Sequence, residues 1–198
     1  MNEPDPLPRG GFFPVSLNLE GRRCVVIGAA DDGEAAEKTA ALREAGAEVR
    51  TLEPDGFRDD ELSDAFFVIS TPKDERLSAR LRDLAERHRF LLCCIDQPAY
   101  GFVAMQAIVK AGPARIGIST GGVAPRIGKI LKERLQHALD AKFVRFLNLL
   151  AERRRLNRTG LPDAAARRAA MMEAAEGFDV KVCVHYPDWF EKNDDGIR

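Results

Sequence analysis

The stretch Cys24–Lys38, CVVIGAADDGEAAEK, constrains this chain most: an apolar strand runs into Gly28 and then directly into a helix. An apolar run without polar alternation suits a strand covered on both faces, as in a parallel sheet. A strand–glycine–helix junction also offers unpaired backbone N–H groups to an anion. In the common G-x-G-x-x-G loop one glycine makes the turn, one admits a pyrophosphate and one allows close helix–strand packing. Here Gly28 and Gly33 keep the first and last of these positions, Ala29 and Ala30 follow the first, and Asp31 and Asp32 add negative charge. Two readings stand. The loop holds a dinucleotide, with Lys38 compensating the charge and Glu53 accepting from a ribose diol, or the fold keeps its turn without its ligand.

The rest of the chain extends the same rhythm. Arg22 to Ile27 reads as a first strand and Gly33 to Ala45 as a helix stopped by Gly46. Val49 to Leu52, Ala65 to Ser70 and Phe90 to Ile95 read as further strands. A helix over Glu75 to His88 carries Leu77, Leu81, Leu84 and Ala85 on one face. This predicts an α/β fold, a Rossmann-like parallel sheet. Earlier, Leu17 and Leu19 alternate with Asn18 before a turn at Glu20-Gly21. After Ile95 the pattern changes: two apolar runs flank Ala111-Gly112-Pro113, a hairpin signal. Pro125 opens a helix with Ile127, Ile130, Leu131 and Leu135 on its apolar side. A second helix covers Ala141 to Leu156, striped by Phe143, Phe146, Leu147 and Leu150, and Pro162 starts a third. The segment FDVKVCVHYPDWF returns as a strand or packs as a tail.

Composition narrows the function classes. The 198 residues carry a formal net charge of −1, which argues against a general nucleic-acid binder. No apolar run is long enough for a signal peptide or a membrane span, so a cytoplasmic protein with no membrane partner is expected. The four cysteines and the histidines His88, His137 and His185 form no metal-binding pattern, and Cys93 and Cys94 should point to opposite faces of their strand. Two tyrosines, Tyr100 and Tyr186, give no Tyr-x-x-x-Lys pair of a short-chain reductase.

Asp96 lies just beyond a core strand, where open α/β sheets place ligand groups. It suits a general base, a metal ligand or a turn cap. Ser119, Thr120, Gly121 and Gly122 precede the Pro125 helix and make a narrow, donor-rich shelf for a carboxylate or phosphate. Behind them come Arg126, Lys129, Lys132 and Arg134, with Lys110 and Arg115 beside the hairpin turn. A polyanionic small molecule suits that arrangement.

These segments together resemble the precorrin-2 dehydrogenase family, the amino-terminal module of siroheme synthases. The resemblance runs through FFPVSLNLEGRRCVVIG, EAGAEV, VISTPKDE, CCIDQPAYGF and IGISTGGVAPRIGKILKERLQ, roughly residues 12 to 156. It implies a homodimer with a flexible start (1–12), an NAD-binding domain (13–112), a dimerisation and substrate region (113–140) and a helical carboxy-terminal domain (141–198). It implies NAD-dependent oxidation of precorrin-2 to sirohydrochlorin, with iron insertion in some members. The catalytic aspartate then falls on Asp96. The cofactor positions fall on the glycine loop, Lys38, Glu53 and the strand-end pair Ser70 and Thr71, and the tetrapyrrole positions on Ser119 to Gly122, Lys129 and Lys132. No residue is assigned to a metal. The chain departs from the family pattern in its loop, which has Gly28-Ala29-Ala30 for three glycines and two extra residues before GEAAEK, and at Cys93, where asparagine is usual. A sirohydrochlorin chelatase, or a tetrapyrrole-binding protein without NAD-linked activity, is the alternative.

Overall fold

The structure, a computed structural model, describes residues 11–191. Four parallel strands form the central sheet in the order β2-β1-β3-β4: β1 (Arg23–Ile27), β2 (Glu48–Leu52), β3 (Phe67–Ser70) and β4 (Leu91–Cys94). The register aligns Ile27 with Leu52 and Ser70, and Ser70 with Cys94, so the strands reach one carboxyl edge together.

Both faces are covered, as continuous apolar strands require. Val25, Ile27, Val68, Leu92 and Cys94 pack on one side with Leu77, Leu81, Leu84 and Ala85 of α2 (Glu75–His88). Cys24, Val26, Phe67, Ile69 and Cys93 pack on the other with Ala35 and Leu42 of α1 (Gly33–Glu44). Cys93 and Cys94 therefore face opposite layers, as the two-residue strand period dictates. Fully burying a leucine such as Leu81 contributes about 1.5–3 kcal/mol. Both helices carry an aspartate cap: Asp32 accepts from the Glu34 N–H at 2.8 Å, and Asp74 from the Arg76 and Leu77 N–H groups at 2.8 and 3.1 Å. Gly46 ends α1 at φ +84, a left-handed backbone that favours glycine.

Past the sheet, β5 (Ala107–Ala111) and β6 (Ala114–Ile118) form an antiparallel hairpin that turns at Gly112-Pro113. The helix α3 (Pro125–Ala138) packs on it, and the Gln136 amide bonds both the N–H and the carbonyl of Lys110 at 3.0 and 2.8 Å. Its Ile127, Ile130 and Leu131 stay exposed.

The chain divides after Ala138 into two compact units. In the second, α4 (Ala141–Gly160) is capped by Asp140 and α5 (Ala164–Ala174) by Asp163, so Pro162 precedes the cap instead of opening the helix. Phe143 and Phe146 of α4 meet Phe178, with ring centroids 6.1 and 5.4 Å away. No strand forms in the tail: residues 179–187 are irregular, and a four-residue helix, α6 (Asp188–Glu191), follows. Residues 11–19 also lack strand pairing, although Leu19 is buried. No helix among the described residues is long and apolar enough to cross a membrane.

Candidate functional site

Gly28, Thr71 and Asp96 lie at the carboxyl ends of β1, β3 and β4, on the edge where α/β sheets bind ligands. Two cavities open there, one on each side of α1. Glu34 and Lys38, one turn apart on that helix, line one of them, and Ala36, Ala40 and Arg43 line the other.

The second of these, about 450 Å³, holds the glycine loop. Gly28, Ala29 and Ala30 line it together with Thr39, Arg43 and Glu53. Gly28 is required by packing: a Cβ there would stand 2.5 Å from Thr71 Oγ1 and 2.6 Å from Ala35 Cβ. Glu53 ends up beside the loop. Gly33 has open space around it, and Ser70 is fully buried, with its Oγ unpartnered. Thr71 is buried as well, and its hydroxyl donates to Asp32, with the Ile27 carbonyl 3.3 Å from the same oxygen.

Asp32 changes the character of this loop. Its carboxylate caps α1 and accepts from Thr71, so the chain's own anion takes part of the helix terminus where a phosphate would bind. The Thr71 hydroxyl, foremost, holds the Asp32 carboxyl below its usual range. The pocket still fits a nucleoside: the Thr39 Oγ1 is buried without a partner, Glu53 offers an acceptor pair, and Arg43 supplies a cation. The negative charge at Asp32 acts against the pyrophosphate portion alone.

The other cavity, about 460 Å³, collects the second constellation. Asp96, Lys38, Cys93, Cys94 and the whole Ser119–Gly122 shelf line it. Asp96 has φ +59, inside a tight turn in which the Gln97 N–H donates to the Cys94 carbonyl at 3.2 Å. Aspartate tolerates this left-handed conformation better than most residues, but at a cost, and such strain concentrates at functional sites. Gln97 also accepts from the Ser78 hydroxyl at 2.6 Å, which ties the turn to α2. The Lys73 ammonium stands 2.6 Å from Asp96, and the hydrogen bond to Asp96 raises the lysine's pKa. Both side chains are more than half exposed, so the pair orients the carboxylate more than it stabilises the fold.

Along the shelf, Gly121 and Gly122 adopt φ +62 and +80, and the Gly121 N–H donates to Ser119 Oγ at 3.2 Å. Lys38 is the nearly buried cation of this cavity and pairs with Glu34 at 3.5 Å. It lines the Asp96 side of α1 and not the glycine-loop side. Burial pushes the Cys93 thiol up to about 12, so at neutral pH it is an uncharged part of the wall. Lys129 and Lys132 lie on α3 but do not line the cavity, whereas Pro125 and Gly128 do. Sequence reasoning missed Lys73, although it sits inside the VISTPKDE segment. Among the described residues no three His, Cys, Asp or Glu side chains group as a metal site would need.

Comparison with known proteins fits this geometry. Residues 15–107 match the NAD(P)-binding family model NAD_binding_7. The siroheme synthase of Nitrosococcus oceani is 25% identical over 185 residues, covering 84% of this chain and 39% of its own length. That of Pseudomonas fluorescens is 28% identical over 186 residues, with shares of 84% and 39%. At family level, the chain matches the NAD(P)-binding module of siroheme synthase. It spans about two fifths of the length of these curated relatives. A solved structure described as SirC, precorrin-2 dehydrogenase, superposes with a TM-score of 0.71 at 18% identity, over 84% of this chain and 90% of that one. At that identity the superposition speaks for the shared fold. Residues 15–107 thus match an NAD(P)-binding domain on a Rossmann-like architecture, and the chain is similar to part of the siroheme synthases.

Proposed function

We propose that the chain binds precorrin-2 in the Asp96 cavity and oxidises it to sirohydrochlorin, with NAD as the oxidant. The observation that carries this reading is Asp96, held at a strained strand-end turn, paired with Lys73 and lining one cavity together with the Ser119–Gly122 shelf. The substrate is a flexible macrocycle with many carboxylates, and its oxidation removes a hydride and a proton. NAD, when bound, supplies the hydride acceptor. Glu53 would hold its ribose diol, a preference for NAD since a carboxylate repels a ribose phosphate, and the Ala29–Ala30 backbone would face its phosphates.

The chain's own groups divide the remaining work. Asp96 takes the proton from the macrocycle, as a carboxylate within hydrogen-bond reach can. Lys73 orients that carboxylate, and donates its hydrogen bond to it again after the proton leaves to solvent. Lys38 and the hydroxyls of Ser119 and Thr120 hold substrate carboxylates. Lys129 and Lys132 extend the same field at the rim, and the exposed Ile127, Ile130 and Leu131 of α3 suit a homodimer in the cytoplasm.

A second reading, insertion of ferrous iron into sirohydrochlorin or simple tetrapyrrole carriage, is favoured by one observation: the Asp32 carboxylate at the α1 terminus. Neither role needs a dinucleotide, and Asp96 would then manage pyrrole protons. Anaerobic incubation with precorrin-2 and excess NAD, without metal, separates the readings. Matched formation of sirohydrochlorin and NADH is expected, and Asp96→Asn should abolish both. Tetrapyrrole binding by folded protein without NADH formation would favour the second reading.

A further inference from the structure

We infer that the groove between α4 and α5 is a separate anion site, for a small molecule bearing two or more carboxylates or phosphates. The groove has a volume of about 590 Å³. Arg154, Arg155 and Arg158 of α4 and Arg167 and Arg168 of α5 line it, and no carboxylate does. It lies wholly within residues 139–198 and does not depend on the Asp96 reading.

Ordinary helix electrostatics explains only half of this arrangement. Cations near the end of α4 complement the helix dipole, but Arg167 and Arg168 lie near the start of α5, where the dipole opposes them. Arg154 and Arg158 are also like charges one turn apart, a spacing that destabilises an isolated helix. Of the five, Arg155 is neutralised by Glu152 at 2.9 and 2.6 Å, and Arg167 donates to the Leu161 carbonyl at 3.1 Å. Arg154, Arg158 and Arg168 form no ion pair with a described residue. Asn157 also lines the groove, and its Nδ2 is buried without a partner.

Guanidinium groups are planar, weakly hydrated and matched to carboxylate or phosphate oxygens, so three free ones around a buried amide are relieved by a multivalent anion. The volume is in the range of small-molecule sites and exceeds what one phosphate fills. The chain's net charge of −1 disfavours a nucleic acid as the occupant.

The test is calorimetric titration of the full chain with tripolyphosphate, with citrate and with acetate, alongside the double variant Arg158→Gln/Arg168→Gln and the neighbouring control Arg153→Gln. The site predicts saturable 1:1 binding of tripolyphosphate or citrate, at least tenfold tighter than acetate. The double variant should weaken it at least tenfold and Arg153→Gln should leave it unchanged. The stronger of the two multivalent probes identifies phosphate or carboxylate as the preferred group. If the double variant fails to fold, Arg158→Lys/Arg168→Lys keeps the charge and loses the fork, and should still weaken binding severalfold. Absence of saturable binding, equal loss with Arg153→Gln, or binding only to duplex DNA with affinity rising with its length would overturn the proposal.

Discussion

The two cavities beside α1 share a sheet edge and differ in how much of their chemistry the chain already uses. In the Asp96 cavity, the Ser119–Gly122 shelf is part of the lining and Lys73 leaves much of the aspartate accessible. In the glycine-loop cavity, the helix terminus already serves Asp32, which is locked further by Thr71. A retained scaffold therefore does not imply retained affinity. On the proposed function, tetrapyrrole and dinucleotide recognition would be separable properties of neighbouring pockets, each open to change by its own residues.

Substitutions can break that separation in order of size. Asp96→Asn tolerates the left-handed turn but removes the base. Turnover of precorrin-2 should fall about 100-fold or more, the usual scale for a lost general base, while tetrapyrrole affinity by absorbance titration stays within a few-fold. Asp32→Asn keeps a good helix cap and removes one negative charge near the phosphates. NAD affinity, read by calorimetry, should rise about tenfold, with tetrapyrrole affinity unchanged. Lys73→Met should lower kcat severalfold through a less well-held Asp96 and leave NAD binding as it was. An equal loss in NAD affinity would place Lys73 in the other cavity's work.

Two smaller effects concern pH and reactivity. The folded state holds Asp32 below its ordinary value of 3.8, so the stability it contributes is complete above that value and disappears as pH falls through the lower folded one. In acid denaturation followed by circular dichroism, wild type should lose its margin over Asp32→Asn across that window. The Cys93 thiol, raised to about 12 by burial, should resist iodoacetamide at pH 7.5, as should the buried Cys24 and Cys94, while exposed Cys183 reacts. Mass spectrometry of the native protein would show one modification.

Much of the sheet domain was legible because its causes are local. Apolar runs without alternation, Gly46 after a helix and the leucine face of α2 each state their outcome within a few residues. The place of Asp96 just past the end of β4 was legible from the apolar run before it. What escaped depends on packing. Lys38 is near the glycine loop in sequence, but the phase of α1 against the sheet turns it to the opposite cavity. Lys73 meets Asp96 only because β3 and β4 are parallel neighbours with aligned ends. The self-bonded Asp32 required the tertiary position of Thr71. The alternating tail suggested a strand, but residues 179–187 form none, since alternation supplies a face and not a partner edge.

The most direct test of the account is the NAD concentration dependence of precorrin-2 oxidation, measured anaerobically for wild type and Asp32→Asn side by side. The account predicts the same maximal rate for both proteins, and a half-saturating NAD concentration about tenfold lower in the variant. Identical NAD dependence in the two proteins, or no oxidation by either while both bind the tetrapyrrole, would contradict it.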